Sequence, residues 1–170
     1  MEKVFVKLAN NEDTYLKLVE YMKETERDYD IPISMRVNIE EYAKKIVEYA
    51  VTVAVMENDK IIAMANFYCN DIVTKICYAT NVSITKKAQE KGYHIFDFAY
   101  AIMRIAQKAG MKKFCAETTD RRVFILHRRL GFVEIKREEI NGIIHYYDCI
   151  EDIDAWLKKY SGQQITILNL

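Results

Sequence analysis

The chain has 170 residues, 51% of them apolar, and its 25 basic and 25 acidic side chains cancel to zero formal charge. That length suits one ordinary domain with a sizeable core, and the balanced charge removes the basic footprint of a nucleic-acid binder. With one proline, five glycines and no repeated or low-complexity stretch, nothing marks a linker.

Residues 1–170 are therefore read as one domain, with 151–170 as a C-terminal extension. The opening Met1 to Leu8 lacks the apolar segment of a signal peptide, and no later run is long enough to span a bilayer. A cytoplasmic protein with no membrane partner is expected. Cys69, Cys77, Cys115 and Cys149 lie in apolar, strand-like segments without a C-x-x-C pair, which predicts reduced core cysteines and no metal.

In chain order, Val4 to Leu8 reads as a strand ended by Asn10-Asn11. A helix capped by Asp13 or Thr14 follows, with Leu16, Val19 and Met22 as its apolar stripe. Ile31-Pro32 breaks the chain before a second helix over Ile39 to Tyr49. Val51 to Met56 and Ile61 to Tyr68, separated by Asn58-Asp59, predict a hairpin, and Lys75 to Ile84 a further strand. A polar loop over Thr85 to Lys91 leads through Gly92 into a long helix that ends at Gly110. Lys113 to Thr118 reads as a strand, Asp120 as a cap, and Arg121 to Leu130 as a helix stopped by Gly131. Phe132 to Ile140, Asn141-Gly142 and Ile143 to Ile150 form a second hairpin. A short helix over Ile153 to Tyr160 precedes an alternating tail, Ile165 to Leu168. The tail is expected to add to this sheet or to that of a second copy, which would make a homodimer. Strands joined by helices predict an α/β fold around one mixed sheet.

The segment that carries chemistry runs from Ile84 to His94. A strand, a polar loop with glycine at its turn, and a helix N-terminus together favour an anion, and Lys86, Lys87 and Lys91 add positive charge there. The glycine patterns of a P-loop and of a dinucleotide fingerprint are both absent.

Gln89-x-x-Gly92-x-His94 resembles the Q/R-x-x-G-x-G/A motif of the GNAT N-acetyltransferases. Asp120 to Phe132 resembles that family's second signature, N-x-x-A-x-x-L-Y-x-x-x-G-F, and the helix, glycine and strand between them fall in the family's order. The resemblance implies a single-domain GNAT fold, a mixed central sheet whose strands ending at Ile84 and Thr118 splay apart. Acetyl-coenzyme A is the implied co-substrate and the amine of a small molecule the implied acceptor. The pantetheine arm would pair with backbone at Asn81, Val82 and Ile84, and the N–H groups of Glu90, Lys91, Gly92, Tyr93 and His94 would hold the pyrophosphate, with Gln89 fixing the loop.

His94 stands where the family has glycine or alanine, and Asp120 where it has asparagine, so Asp120 reads as a helix cap near the cofactor. His127 aligns with a tyrosine that protonates the departing thiolate, which a histidine can do near neutral pH. For the general base the sequence offers Tyr78 and Glu117, and Glu117 is slightly the more attractive because a partly buried carboxylate accepts protons readily. Arg121, Arg122, Arg128 and Arg129 read as a solvated face. Tyr42 to Ile46 and Phe67-Tyr68 resemble members that act on amino sugars. The alternative reading is a non-catalytic coenzyme A-binding regulatory module of the same fold.

Overall fold

The computed structural model describes residues 2–29 and 31–169. Strand β1 (Lys3–Leu8) leads into helix α1 (Glu12–Thr25), which starts less than one turn earlier than the sequence suggests. Asn11 is its cap, not Asp13 or Thr14: the Asn11 side chain accepts from the Thr14 N–H at 2.9 Å, and Asp13 sits in the first turn, where negative charge meets the helix dipole. Asn38 caps α2 (Ile39–Tyr49) in the same way.

Strands β2 (Val51–Glu57), β3 (Lys60–Tyr68) and β4 (Ile76–Ile84) form an antiparallel meander. The stretch expected as a loop after β4 holds a short helix, α3 (Lys86–Glu90). Thr85 caps it by accepting from the Ala88 N–H. Then come α4 (Ile95–Lys108), β5 (Lys113–Thr118) and α5 (Arg121–Arg129). The hairpin β6 (Val133–Ile140) and β7 (Ile143–Ile150) turns on Asn141 and Gly142, whose φ of 51° and 77° are what a tight two-residue hairpin requires. Helix α6 (Ile153–Lys159) and strand β8 (Ile165–Asn169) end the chain.

All eight strands join one mixed sheet in the order β6-β7-β5-β4-β3-β2-β1-β8, with β4·β5 and β1·β8 parallel. The tail thus pairs with its own β1, from Lys3↔Ile165 to Lys7↔Asn169. Helix α6 is tied in as well, because Trp156 Nε1 donates to the Leu130 carbonyl at 2.7 Å.

Helices cover both faces of the sheet, so β3 is buried along nearly its whole length instead of alternating. One core gathers Phe5, Phe67, Phe98, Ile102 and Phe114 beneath α4, with Phe5 and Phe98 edge to face at 4.9 Å. The other packs Leu18, Tyr21 and Met22 of α1 and Ala43 and Ile46 of α2 against Met64. Among the described residues no helix is long and apolar enough to cross a membrane.

Candidate functional site

The sheet opens where β4 leaves β5. The two strands pair only from Ile76↔Lys113 to Ala79↔Ala116, while β3 continues to pair with β4 as far as Ala63↔Ile84. The cause is a bulge: Phe67 faces Ala79 and Asn66 faces Asn81, so Thr80 is left over and β4 bends away. Asn81, Val82 and Ile84 therefore lie on an edge that has β3 on one side and no strand on the other. Such an edge is a template for an extended ligand, as for an added strand.

Below this fork the sequence expects a phosphate loop, and the structure shows how much of it is already engaged. Gly92 has φ 84°, a conformation that suits glycine. Its N–H bonds to Gln89 O at 2.8 Å, Tyr93 N–H to Ala88 O at 3.1 Å, Lys91 N–H to Ala88 O at 3.1 Å, and His94 N–H to the Asp97 carboxylate at 2.8 Å. These four N–H groups are thus turned inward, contrary to the expectation for Glu90 to His94. The N–H groups of Ile95 and Phe96, in the first turn of α4, are the ones left without an acceptor among the described residues. Gln89 Nε2 donates to the Ile84 carbonyl at 3.2 Å, which ties the loop to β4. The Tyr93 hydroxyl is bonded to the Val4 backbone and anchors the loop to β1. The His94 side chain is exposed.

Local charge is also lower than the sequence suggests. Glu57, at the end of β2, pairs with both Lys87 and Lys91, the latter at 2.6 Å, and the two ammonium groups hold its carboxyl below the usual range. Asp97, buried at the start of α4, is paired with Lys3 at 2.7 Å. Replacing Glu57 by glutamine is expected to tighten the binding of a phosphate-bearing anion at this loop several-fold at low salt. The gain should fade as salt screens the released lysines, and titration calorimetry at two ionic strengths checks it.

Two titratable clusters flank the fork on opposite faces of the sheet. Asp148 of β7 faces Ala116, the last residue of β5 that pairs with β4, and is wholly buried. It bonds His127 Nδ1 at 3.0 Å, and the imidazole lies against Phe132 with ring centres 4.7 Å apart. The sequence found His127 but not Asp148, whose partnership needs the β5·β7 register. On the other face Tyr78 OH donates to Glu117 at 3.1 Å, and the other Glu117 oxygen meets His145 Nδ1 at 2.5 Å. Burial, with the Glu117 charge beside it, pushes the Tyr78 hydroxyl well above its ordinary value, so it keeps its proton and donates it to Glu117. His145 was missed because it lies on the far hairpin, 28 residues from Glu117. Asp120 caps α5 and pairs with Arg122 at 2.7 Å, which lowers its carboxyl. Arg121, Arg122, Arg128 and Arg129 are all exposed.

No protein-family model and no curated protein matches the sequence. Solved structures do. A crystal structure of aminoglycoside 6'-acetyltransferase type Ii superposes with a TM-score of 0.69 at 11% identity, over 88% of this chain and 96% of that one. The spermidine/spermine N-acetyltransferase SpeG from Vibrio cholerae gives 0.65 at 13% identity, over 92% and 98%. A Bacillus subtilis acetyltransferase in complex with CoA gives 0.54 at 12% identity, over 65% and 82%. The fold is that of the GNAT acetyltransferases.

In this GNAT fold a cavity of about 240 Å³ opens beside the fork on the α1–α2 face, lined by Ile33, Arg36, Val37, Tyr42, Thr80 and Asn81. Tyr42 and Thr80 share a hydrogen bond at 2.9 Å across its wall. Phe67, in contrast, is wholly buried in the core. A second cavity of about 400 Å³ lies between α5 and the β6–β7 hairpin, over the stacked rings of Phe124 and Tyr146.

Proposed function

We propose that this chain transfers an acetyl group from acetyl-coenzyme A to a primary amine of a small molecule, by direct transfer. The observation that carries the reading is the fork: an unpaired edge of β4 from Thr80 onward, flanked by one His–carboxylate pair on each face. The α4 N-terminus, through the Ile95 and Phe96 N–H groups, supplies the adjoining phosphate site.

In this scheme the amine approaches from the α1–α2 face. Its nitrogen bonds to the thioester carbonyl carbon, the carbon–sulfur bond breaks, and the ammonium proton passes to His145 Nε2 while Glu117 holds Nδ1. His127, held by Asp148, returns a proton to the sulfur. Backbone N–H near Val82 steadies the developing oxyanion. Phosphate binding at α4, the Gln89 loop and the β4 edge place the thioester; the cluster around Glu117 places the amine.

The first test is binding. A micromolar site with acetyl-coenzyme A at 100-fold excess stabilises the fold by ~2.7 kcal/mol, visible as a thermal shift. Thiol release with a panel of amines then separates an enzyme from a coenzyme A-binding regulatory module. That second reading draws on the partial neutralisation of the loop by Glu57 and Asp97. Binding without turnover would favour it, and no binding would end both.

The acceptor panel includes amino sugars, since Tyr42 lines the cavity. We also propose a cytoplasmic location, because the four cysteines are free. A homodimer through the outer edge of β8 is checked by equilibrium sedimentation.

A further inference from the structure

Thr80 is the residue that the β4 bulge leaves over. On the β3 side its neighbours are taken, since Asn66 faces Asn81 and Phe67 faces Ala79. On the β5 side the parallel ladder stops at Ala79↔Ala116, and one further step would set Thr80 beside Glu117. That step would narrow the fork by a residue. A bulged residue drops out of the ladder but keeps its polar groups, and Thr80 is half-buried, so those groups need partners off the neighbouring strands.

The partner comes from the helical layer. The Tyr42 hydroxyl of α2 lies 2.9 Å from Thr80 Oγ1 and 3.5 Å from the Thr80 carbonyl oxygen. Its helix is a firm anchor, capped by Asn38 and packed into the core through Ala43 and Ile46, both wholly buried. Further along the same edge, the Tyr21 hydroxyl of α1 lies 2.9 Å from Ser83 Oγ and donates to the Ser83 carbonyl at 3.1 Å. Burial raises both phenols, so each keeps its proton. The unpaired edge of β4 is therefore tied to the α1–α2 layer at two points, and Tyr42 holds the point where β4 and β5 part.

We infer that Tyr42 is a positioning residue for the acyl donor: by holding Thr80 on the α1–α2 side, it keeps the edge from Asn81 to Ile84 open to the pantetheine arm. The inference rests on the acyl-transfer reading, which assigns that edge to coenzyme A. Tyr42 acts through Thr80 and does not itself touch the donor. Without the phenol, Thr80 is free to take the next step of the ladder towards Glu117, where the arm would otherwise lie. Tyr21 still holds Ser83, so affinity is weakened and not abolished.

Titration calorimetry with coenzyme A tests this, on variants that circular dichroism shows folded at the temperature used. Tyr42→Phe keeps the ring and removes only its hydroxyl. Thr80→Val removes the facing hydroxyl at nearly the same shape, and Thr80→Ser keeps it. Tyr42→Phe and Thr80→Val are each expected to raise Kd about fivefold, within the range that one hydrogen bond contributes. The double variant should lose no more than the worse single one, because both changes remove the same contact, and Thr80→Ser should bind like the wild type. A merely structural Tyr42 would lower the melting temperature of Tyr42→Phe and leave Kd unchanged. That result, additive losses in the double variant, or Thr80→Ser as weak as Thr80→Val would overturn the inference and leave the acyl-transfer reading standing. A wild-type chain that binds no coenzyme A would defeat that reading and the inference with it.

Discussion

Replacing His127 by alanine is expected to lower kcat at least ~10-fold, within the range that general acids contribute, while the affinity for acetyl-coenzyme A stays nearly constant. The imidazole is fixed by Asp148 on one side and Phe132 on the other, at the level where β4 and β5 part. With Nδ1 bonded to the carboxylate, Nε2 is the nitrogen that can hand a proton to sulfur. His127→Tyr should recover part of the rate by restoring a hydroxyl donor, and His127→Phe should not. Because the alanine variant strands a buried carboxylate, it is also expected to lose about 3–5 kcal/mol of stability. Steady-state thiol release is therefore measured at a temperature where circular dichroism shows each variant folded. Equal rates for the alanine, phenylalanine and tyrosine variants would make His127 a packing residue and leave solvent to protonate the thiolate.

His145→Ala is expected to lower kcat by about 10²-fold or more, the usual contribution of a general base. Glu117→Gln should give a similar loss in kcat, since the amide no longer stabilises an imidazolium at Nδ1. Tyr78→Phe should cost much less, because Tyr78 only donates to Glu117. A Glu117→Gln variant without activity beside an active His145→Ala variant would move the base from His145 to Glu117. Full activity in both would leave deprotonation to water.

Much of the scaffold is legible in the sequence. The periods of the apolar residues and the turn residues between them predict every strand and long helix in order, and the limits of α2 and β5 agree with the structure. Errors stay local: Asn11 caps α1 because the helix starts where a side chain can satisfy its first N–H groups, and Thr85 caps a five-residue helix that polar composition disguises as a loop. His127, Glu117 and Tyr78 are visible as residues from motif and strand position, and the structure shows whom each one meets.

What only the tertiary structure decides is pairing. The fork exists because β4 carries one residue more than β3 opposite it, which depends on both strands at once. Glu57 reaches Lys87 and Lys91 across the sheet's end, and so reduces a charge that the loop's own sequence advertises. Asp148 and His145 enter through the β5·β7 register, which neither hairpin signal contains. The cavity lined by Arg36, Tyr42, Thr80 and Asn81 joins a turn before α2, α2 itself and a strand bulge. The tail takes β1 as its partner over a separation of more than 150 residues. Periodicity and turn chemistry act within a few residues and are written in sequence order. Register, charge neutralisation and the matching of donors to acceptors act between segments far apart in the chain, and they are decided only when those segments pack.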